Sequence, residues 1–447
     1  MSAAPGVAVS AQSDPSYGVR QGWTLVAALT VCNIVAQVDR FAMTLLIPPM
    51  QRDLGLSDTQ MGLIGGLVTG LFYALAGLPL ARVADQFSRK WLIIVSLIVW
   101  SLMTAGMGLA VGFWTLCIAR LFLTMGEASL GPAANSMIGN VFPKDQLSRP
   151  MSVFASAGSL GNAAASGLVA LFLFLAPFVA PPLMFGGEPM APWRVVMIGL
   201  GLVGIVPMVM LLLVREPART VLPGDRPDFR LFVAFLKPRL RAYLPCYLGY
   251  AFFVLPFVAL SFWLPTALER AHGMSTTVSG FWLGMGYLLA GAPGTLLGGW
   301  LADRMQRRGV TDARLRVLLL STLLGLPAGA ISQVLPDPWL AMAFVWLAMG
   351  CAAMALGPVT AAIQALTPDR FRAQAAALLY LLIYIVAFMG IPLAGAVTDG
   401  LLGDPRRLPD ALALLSVVFG VLATAVVLRW RSAHVQALDT VAREGAG

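Results

Sequence analysis

Two adjacent charged residues, Asp39 and Arg40, lie within an apolar stretch that is long enough to cross a membrane. Residues 36–49 read AQVDRFAMTLLIPP. A charge at the centre of a membrane-spanning helix costs roughly 2.5–3.5 kcal/mol on insertion scales, and such residues are typically kept for ion pairing, proton transfer or binding of a charged ligand. These two residues are therefore the first candidates for chemistry.

Further polar residues follow helical spacing around them. In a later apolar segment, residues at i, i+4 and i+7 share one helix face: Arg120, Thr124 and Glu127. The stripe that carries Arg40 also carries three uncharged polar residues: Asn33, Gln37 and Thr44. Because the first and fourth apolar segments run in opposite directions, we expect an Asp39–Arg120 or an Arg40–Glu127 ion pair. The alternative is a permanent structural pair that only joins the two helices.

Each residue type suggests a role. A buried carboxylate beside a movable guanidinium can switch between binding and releasing a proton, which makes Glu127 the first candidate for proton coupling and Asp39 the second. A guanidinium stays charged and can hold phosphate or carboxylate through two hydrogen bonds. We therefore predict that Arg40, and next Arg120, bind an anionic headgroup. Three neighbouring polar residues would assist: Asn33, Gln37 and Thr44.

The composition requires a membrane protein. Of the 447 residues, 58% are hydrophobic and 11% are charged, whereas soluble chains carry about 25% charged residues. An all-α membrane protein is predicted, with twelve apolar segments that cross the membrane as helices: 23–50, 58–80, 91–111, 113–139, 150–176, 193–214, 243–268, 277–301, 315–335, 338–366, 373–398 and 409–430. They form two groups of six, with predicted units at 1–22 (N-terminal tail), 23–214, 215–241 (linker), 242–430 and 431–447 (C-terminal tail).

The distribution of positive charge predicts the orientation. If the N-terminus is cytoplasmic, 23 of the 30 lysines and arginines fall on the cytoplasmic side, so both tails and the linker are predicted there. The net charge of +9 is thereby explained without a nucleic-acid partner. Scarce lysine and abundant arginine, alanine and glycine favour a bacterial inner (plasma) membrane.

The two halves repeat in sequence. The segment ARVADQFSRK (81–90) aligns with GWLADRMQRR (299–308) at an offset of 218, and the same offset places Gly62 on Gly280 and Gly66 on Gly284. A parallel repeat of two six-helix bundles is therefore predicted. The candidate gating residues in these loops are Asp85, Arg89, Lys90, Asp303 and Arg304; a loop that only sets the topology is the alternative.

These loops resemble the signature of the major facilitator superfamily. More narrowly, VDRF (38–41), RLFLTMGEAS (120–129) and FPKDQLSRPMSVF (142–154) are similar to its spinster branch. The resemblance implies the major facilitator fold and a transporter of lysophospholipids or phosphorylated sphingoid bases, in some members with protons as the coupling ion. The first loop departs from the pattern at Ala81, Gln86 and Ser88.

The C-terminal half has no obvious central charge. It offers aromatic residues that would suit the tail of an amphipathic substrate: Tyr250, Phe253, Phe257, Tyr287, Tyr380 and Tyr384. Taken singly, such residues more often pack or form an interfacial belt. The expected partners are accordingly a small-molecule or lipid substrate, protons and the bilayer, with a monomer as the working unit.

Other chemistry finds little support in the sequence. The four cysteines are isolated from one another: Cys32, Cys117, Cys246 and Cys351. The two histidines, His272 and His434, fall outside the predicted spans. We therefore expect no metal, cofactor or membrane-embedded enzyme. Within transport, a proton-coupled carrier of a small organic anion, such as a sugar acid or an aromatic carboxylate, is the alternative to a lipid carrier.

Overall fold

The chain forms twelve long helices in a computed structural model that describes residues 18–143, 146–179, 184–185, 188–218 and 229–444. The helices are α1 Val19–Leu54, α2 58–86, α3 Arg89–Met107, α4 Phe113–Val141, α5 Ser148–Val179, α6 Pro192–Leu213, α7 Phe229–His272, α8 276–307, α9 Ala313–Val334, α10 Pro338–Leu366, α11 372–402 and α12 Leu408–Glu444. The predicted all-α fold is confirmed. Two short strands, Met184–Phe185 and Glu188–Pro189, pair before α6.

Eleven helical stretches among the described residues are long and apolar enough to cross a membrane. The predicted span that is not among them is the eighth, 277–301; it lies in α8, which is continuous from 276 to 307 but rich in glycine. Glycine adds no apolar side chain, so the mean hydropathy of α8 is lower than that of the other spans. The length of α8 still exceeds the ~20 residues that a bilayer requires.

Helices α7 and α12 extend farthest beyond the spans that the sequence predicts. Helix α7 begins at Phe229, inside the predicted linker, and α12 continues to Glu444, inside the predicted C-terminal tail. His434, predicted in that tail, is 1% exposed, and its Nδ1 lies 2.8 Å from the carbonyl oxygen of Ala242. Packing between the start of α7 and the end of α12 therefore extends both helices beyond their apolar segments.

The two halves meet along pairs of helices that the repeat relates to each other. Helix α2 packs on α11, and its repeat counterpart α8 packs on α5. A Cβ at Gly62 would lie 2.8 Å from the Cα of Pro392, and one at Gly284 would lie 3.0 Å from the Cα of Ala163. Glycine at these positions allows close contact between helices of the two halves.

One apolar core joins the halves. It runs through the N-terminal bundle and continues into the second half through residues such as Leu255, Trp263 and Ile391. A separate apolar core belongs to the C-terminal half alone and contains Phe232, Tyr243 and Phe371. The halves are thus in apolar contact near one end of the bundle. We call this the outer end, formed by 51–59, 269–275 and 399–407, because the charge distribution predicts it to be extracellular.

Candidate functional site

An ion pair between α1 and α4 lies at the centre of the N-terminal half. Arg40 Nε donates to Glu127 Oε2 at 2.6 Å, with Glu127 1% exposed and the Arg40 side chain 23% exposed. The Arg40–Glu127 alternative predicted from the sequence is therefore the pair that forms. Helix α4 is interrupted directly after Glu127: the regular helix ends at Glu127 and resumes at Leu130.

The other two predicted charges lie beside this pair. Arg120 is 3% exposed and its Nε donates to the hydroxyl of Thr69 at 2.9 Å, while Asp39 is 4% exposed. An Asp39–Arg120 ion pair is not observed; Thr69 occupies the Nε of Arg120 instead. Asp39 is nevertheless close enough to Glu127, Arg120 and Arg40 for electrostatic interaction with each of them.

Several polar atoms here are buried without a protein hydrogen-bond partner in the described part of the chain. They are Asp39 Oδ1, Arg120 Nη1, Thr124 Oγ1 and Glu127 Oε1. A buried polar atom left unpaired costs about 1–3 kcal/mol, so such a concentration marks a site kept for something other than stability. The unpaired atoms include both donors and acceptors, as a site that exchanges ligands or protons requires.

Aromatic residues from both halves lie beside the ion pair. The guanidinium carbon of Arg40 lies 5.1 Å from the ring centroid of Tyr73 in α2, and Tyr73 stacks on Tyr384 of α11 with centroids 4.2 Å apart. Tyr384 in turn lies 5.3 Å from the ring of Phe388. We call Asp39, Arg40, Tyr73, Arg120, Glu127 and Tyr384 the central site.

Tyr73 was missed by the sequence reasoning. A signal was present, because Tyr73 continues the stripe of Gly62, Gly66 and Gly70 at helical spacing. These glycines face α11, so a bulky residue at the next position along the stripe faces α11 as well. The glycine stripe thus indicated the location of an aromatic contact between the halves.

The uncharged polar residues of α1 contact neighbouring backbone. Asn33 Nδ2 donates to the carbonyl of Phe154 in α5 at 3.2 Å, and Gln37 Nε2 lies 3.5 Å from Asn33 Oδ1. The hydroxyl of Thr44 donates to the carbonyl of Phe41 at 2.6 Å. Their predicted role in headgroup binding stays a prediction; in this conformation Asn33 joins α1 to α5.

The predicted aromatic residues of the C-terminal half fall into two groups. Tyr250, Phe253 and Phe257 are at most 6% exposed and pack in the C-terminal core. Tyr384 contacts the central site, whereas Tyr380 is 48% exposed and Tyr287 lies near Ser261. Of the six, only Tyr384 is brought against the predicted charged residues.

The predicted gating residues Arg89 and Lys90 bind within their own half. Arg89 donates from its backbone N to Glu216 Oε1 at 2.8 Å and from Nη2 to the carbonyl of Pro217 at 2.6 Å. Lys90 Nζ donates to the carbonyl of Val214 at 2.7 Å. These bonds hold the chain after α6, because the loop between α2 and α3 lies beside the end of α6. The gating role of Arg89 and Lys90 stays a prediction.

Glu216 responds electrostatically to this arrangement. Partial burial alone would raise the pKa of Glu216, but hydrogen bonds from the Ser88 hydroxyl and from the backbone and side chain of Arg89 outweigh it, and the pKa lies below its ordinary value. Of the remaining gating candidates, Asp303 and Arg304 are exposed, and Arg304 lies over the ring of Trp300. The side chain of Asp85 lies outside the described residues.

A second polar cluster, which the sequence reasoning did not single out, joins the halves at the outer end. Arg270 of α7 donates to both carboxylate oxygens of Asp58, at 2.6 and 2.7 Å, and to Gln51 Oε1 at 2.9 Å. Thr59 donates from its backbone N and its hydroxyl to Asp399 Oδ2, each at 2.7 Å. We call these five residues the outer latch. A cavity of about 420 Å³ lies beside them, rather than at the central site.

The fold and the site define a class of protein: a multi-pass helical membrane protein with a cluster of buried charges between its helices. Residues 29–311 match the family model of the Major Facilitator Superfamily. This match covers more than half of the chain, so the chain belongs to that family of membrane transporters.

Individual relatives agree with this assignment. The chain is 28% identical over 436 residues, covering 96% of each chain, to an MFS-type efflux pump of Mycolicibacterium smegmatis. It is 26% identical over 313 residues to a hexuronate transporter of Bacillus subtilis, covering 66% of this chain and 68% of the relative. A crystal structure of a bacterial homolog of the human lysosomal transporter Spinster, in an inward-facing and occupied conformation, has a TM-score of 0.77 and 25% identity and covers 92% of this chain and 97% of its own. The spinster-like resemblance is confirmed.

Proposed function

We propose that this transporter moves an amphipathic anion, a lysophospholipid or a sphingoid-phosphate-like lipid, by alternating access and with proton coupling. The observation that carries the proposal is the Arg40–Glu127 pair, which lies beside Tyr73 of the same half, and Tyr73 stacks on Tyr384 of the opposite half. Arg40 is the more exposed partner and offers the charge for an anionic headgroup. The apolar and aromatic C-terminal half offers a surface for a tail.

Competition for one guanidinium would couple the proton to the anion. In the observed conformation the Nε of Arg40 is occupied by Glu127. Protonation of Glu127 removes the negative charge that holds Arg40, and a bound phosphate or carboxylate takes its place. Binding of the anion and binding of the proton therefore favour each other. Asp39, buried nearby with an unpaired oxygen, is the second candidate for a proton carrier.

A smaller organic anion is the second candidate substrate. The similarity to a hexuronate transporter over about two thirds of both chains favours it, and Arg40 chemistry fits a carboxylate as well as a phosphate. The two candidates differ in the tail. A lipid site gains affinity with each added methylene, about 0.8 kcal/mol if fully buried, whereas a small-anion site does not.

Uptake into proteoliposomes tests the proposal. Labelled lysophospholipid is supplied with and without an imposed pH gradient to the native chain, Glu127→Gln, Arg40→Ala and the control Arg407→Ala, whose exposed pair with Asp410 lies at the outer end. We expect gradient-dependent uptake in the native and control proteins and its loss in the two central variants. Competition with lysolipids of increasing tail length and with glucuronate distinguishes the two substrates. Absence of lysolipid uptake by correctly folded native protein, together with uptake of labelled glucuronate, contradicts the lipid proposal.

A further inference from the structure

A pair of arginines surrounds one tryptophan at the end of the C-terminal half opposite the outer end. Arg241 lies just before the apolar segment 243–268 of α7, and Arg429 and Trp430 lie at the end of the apolar segment 409–430 of α12. The guanidinium carbons of Arg241 and Arg429 lie 5.6 and 4.7 Å from the Trp430 ring. The bond-distance contact between His434 and the Ala242 carbonyl fixes the two helices side by side here. The two positive charges are thus held close together by the fold.

Neither arginine has a carboxylate partner within the part of the chain that the structure describes. Neighbouring Arg316 and Arg431 differ, because both pair with Asp312, and the bonds from these arginines outweigh burial and keep the pKa of Asp312 below its ordinary value. Two like charges near one ring repel each other, and an anion between them would relieve the repulsion. The cluster therefore has the charge complement of an anion site, which the pair with Asp312 does not.

The residues next to these arginines are apolar and face outwards. Leu240 precedes Arg241 and is 44% exposed, and Leu428 precedes Arg429 and is 54% exposed. Lys237 and Arg239 extend the positive surface on the other side and are also exposed. Positive charge, an indole ring and exposed leucines side by side are the residue types found at the boundary between headgroups and acyl chains.

We propose that Arg241, Trp430 and Arg429 bind the headgroup of an anionic phospholipid from the surrounding leaflet. The guanidinium groups hold the phosphate, and Leu240 and Leu428 contact the acyl chains. A free phosphate ion would use the arginines but not the leucines. This site would bind a lipid of the bilayer and not the transported substrate, because it lies on α7 and α12 and shares no residue with the central site.

Native mass spectrometry of the detergent-purified full chain tests this site, with phosphatidylglycerol, phosphatidylcholine and inorganic phosphate as probes. Basic residues near a membrane surface contribute about fivefold each in affinity for anionic lipid, so Arg241→Ala/Arg429→Ala is expected to weaken phosphatidylglycerol binding by about 25-fold. The matched control is Arg307→Ala/Arg308→Ala, an exposed pair at the end of α8. Because these two arginines are not part of the Trp430 cluster, this variant is expected to bind within about twofold of native.

The outcomes are decisive in both directions. Preference for phosphatidylglycerol over phosphatidylcholine and free phosphate, lost only in the Arg241/Arg429 variant, supports the site. Equal binding of the two lipids, equal loss in the Arg307/Arg308 control, or phosphate binding as strong as that of the lipid overturns it. If the double variant does not purify folded, Arg241→Gln alone is expected to lose about fivefold, and unchanged binding by that variant overturns the proposal equally.

Discussion

The central site and the outer latch use charges in opposite ways. At the centre, Arg40 and Glu127 pair within the N-terminal half and leave several buried polar atoms unpaired. At the outer end, Asp58 pairs with Arg270 across the two halves, and both carboxylate oxygens of Asp58 accept hydrogen bonds. One arrangement is incomplete and lies inside one bundle, whereas the other is satisfied and joins the bundles.

This difference separates binding from conformation. A pair inside one half can remain together when the halves move, so it is available for a ligand or a proton in either state. A pair between halves must break when the outer end opens, so it stabilises one state only. We expect variants of the central site to change transport through binding, and variants of the outer latch to change the balance of conformations.

The largest effect is expected at the centre. Removing one partner of a buried ion pair costs about 3–5 kcal/mol, so Arg40→Ala should lower lysolipid uptake at least about 100-fold while leaving Glu127 without a partner. The double variant Arg40→Ala/Glu127→Gln should regain thermal stability in detergent but not uptake. Recovery of uptake in the double variant would show that the pair is only structural, as the sequence alternative allows.

A substitution in the outer latch should have a comparable effect on the opening of the outer end, which is measured by cysteine labelling. Asp58 is 2% exposed, so Asp58→Asn removes a buried charge that Arg270 requires and should favour opening of the outer end by about 3 kcal/mol. The readout is labelling of a Leu56→Cys reporter by an impermeant maleimide in a chain without its native cysteines. The control Arg407→Ala breaks an ion pair with Asp410 in which both side chains are exposed, so solvent screens the interaction. This variant should change the free energy of opening by less than about 1 kcal/mol. Unchanged labelling in Asp58→Asn contradicts the latch.

Contact between the two halves depends on close packing of α2 against α11. A Cβ at Gly70 would lie 2.2 Å from the carbonyl oxygen of Tyr384, whereas one at Gly77 meets nothing within 4 Å. Overpacking costs about 1–3 kcal/mol, so Gly70→Ala should reduce uptake about tenfold and increase labelling of the outer reporter. Gly77→Ala on the same helix should stay within about twofold of native. Equal behaviour of the two variants would argue against α2–α11 contact as the point of closure.

The smallest effect is expected where charges hold the chain after α6. Glu216→Gln should lower stability at neutral pH by about 1 kcal/mol, because Arg89 is 2% exposed and loses its charged acceptor but keeps an amide oxygen as a neutral one. The folded-state pKa of Glu216 lies below the ordinary 4.5, so its contribution is complete above that value and disappears as the pH falls through the folded-state pKa. Thermal unfolding of native and variant proteins should therefore differ at neutral pH and converge in acid. A constant difference across this range would contradict the role of the charge.

Much of the site was predictable because its signals are local. Asp39, Arg40, Arg120 and Glu127 are conspicuous in apolar segments, and helical spacing gave their faces. Spacing cannot choose between two ion-pair arrangements, because the choice depends on helix rotation and depth. The structure resolved it through Thr69, which accepts from Arg120 and leaves Glu127 to Arg40.

The amino-acid sequence by itself determined the membrane setting, the repeat of two six-helix halves and the buried charges, because hydropathy, offset and composition are properties of the chain order. Only the tertiary structure decided which charges pair, that Tyr73 and Tyr384 stack over Arg40, and that Asp58 meets Arg270. The last two residues are 212 positions apart. Contacts at such separations arise from packing of the two halves, for which no short pattern in the sequence is sufficient.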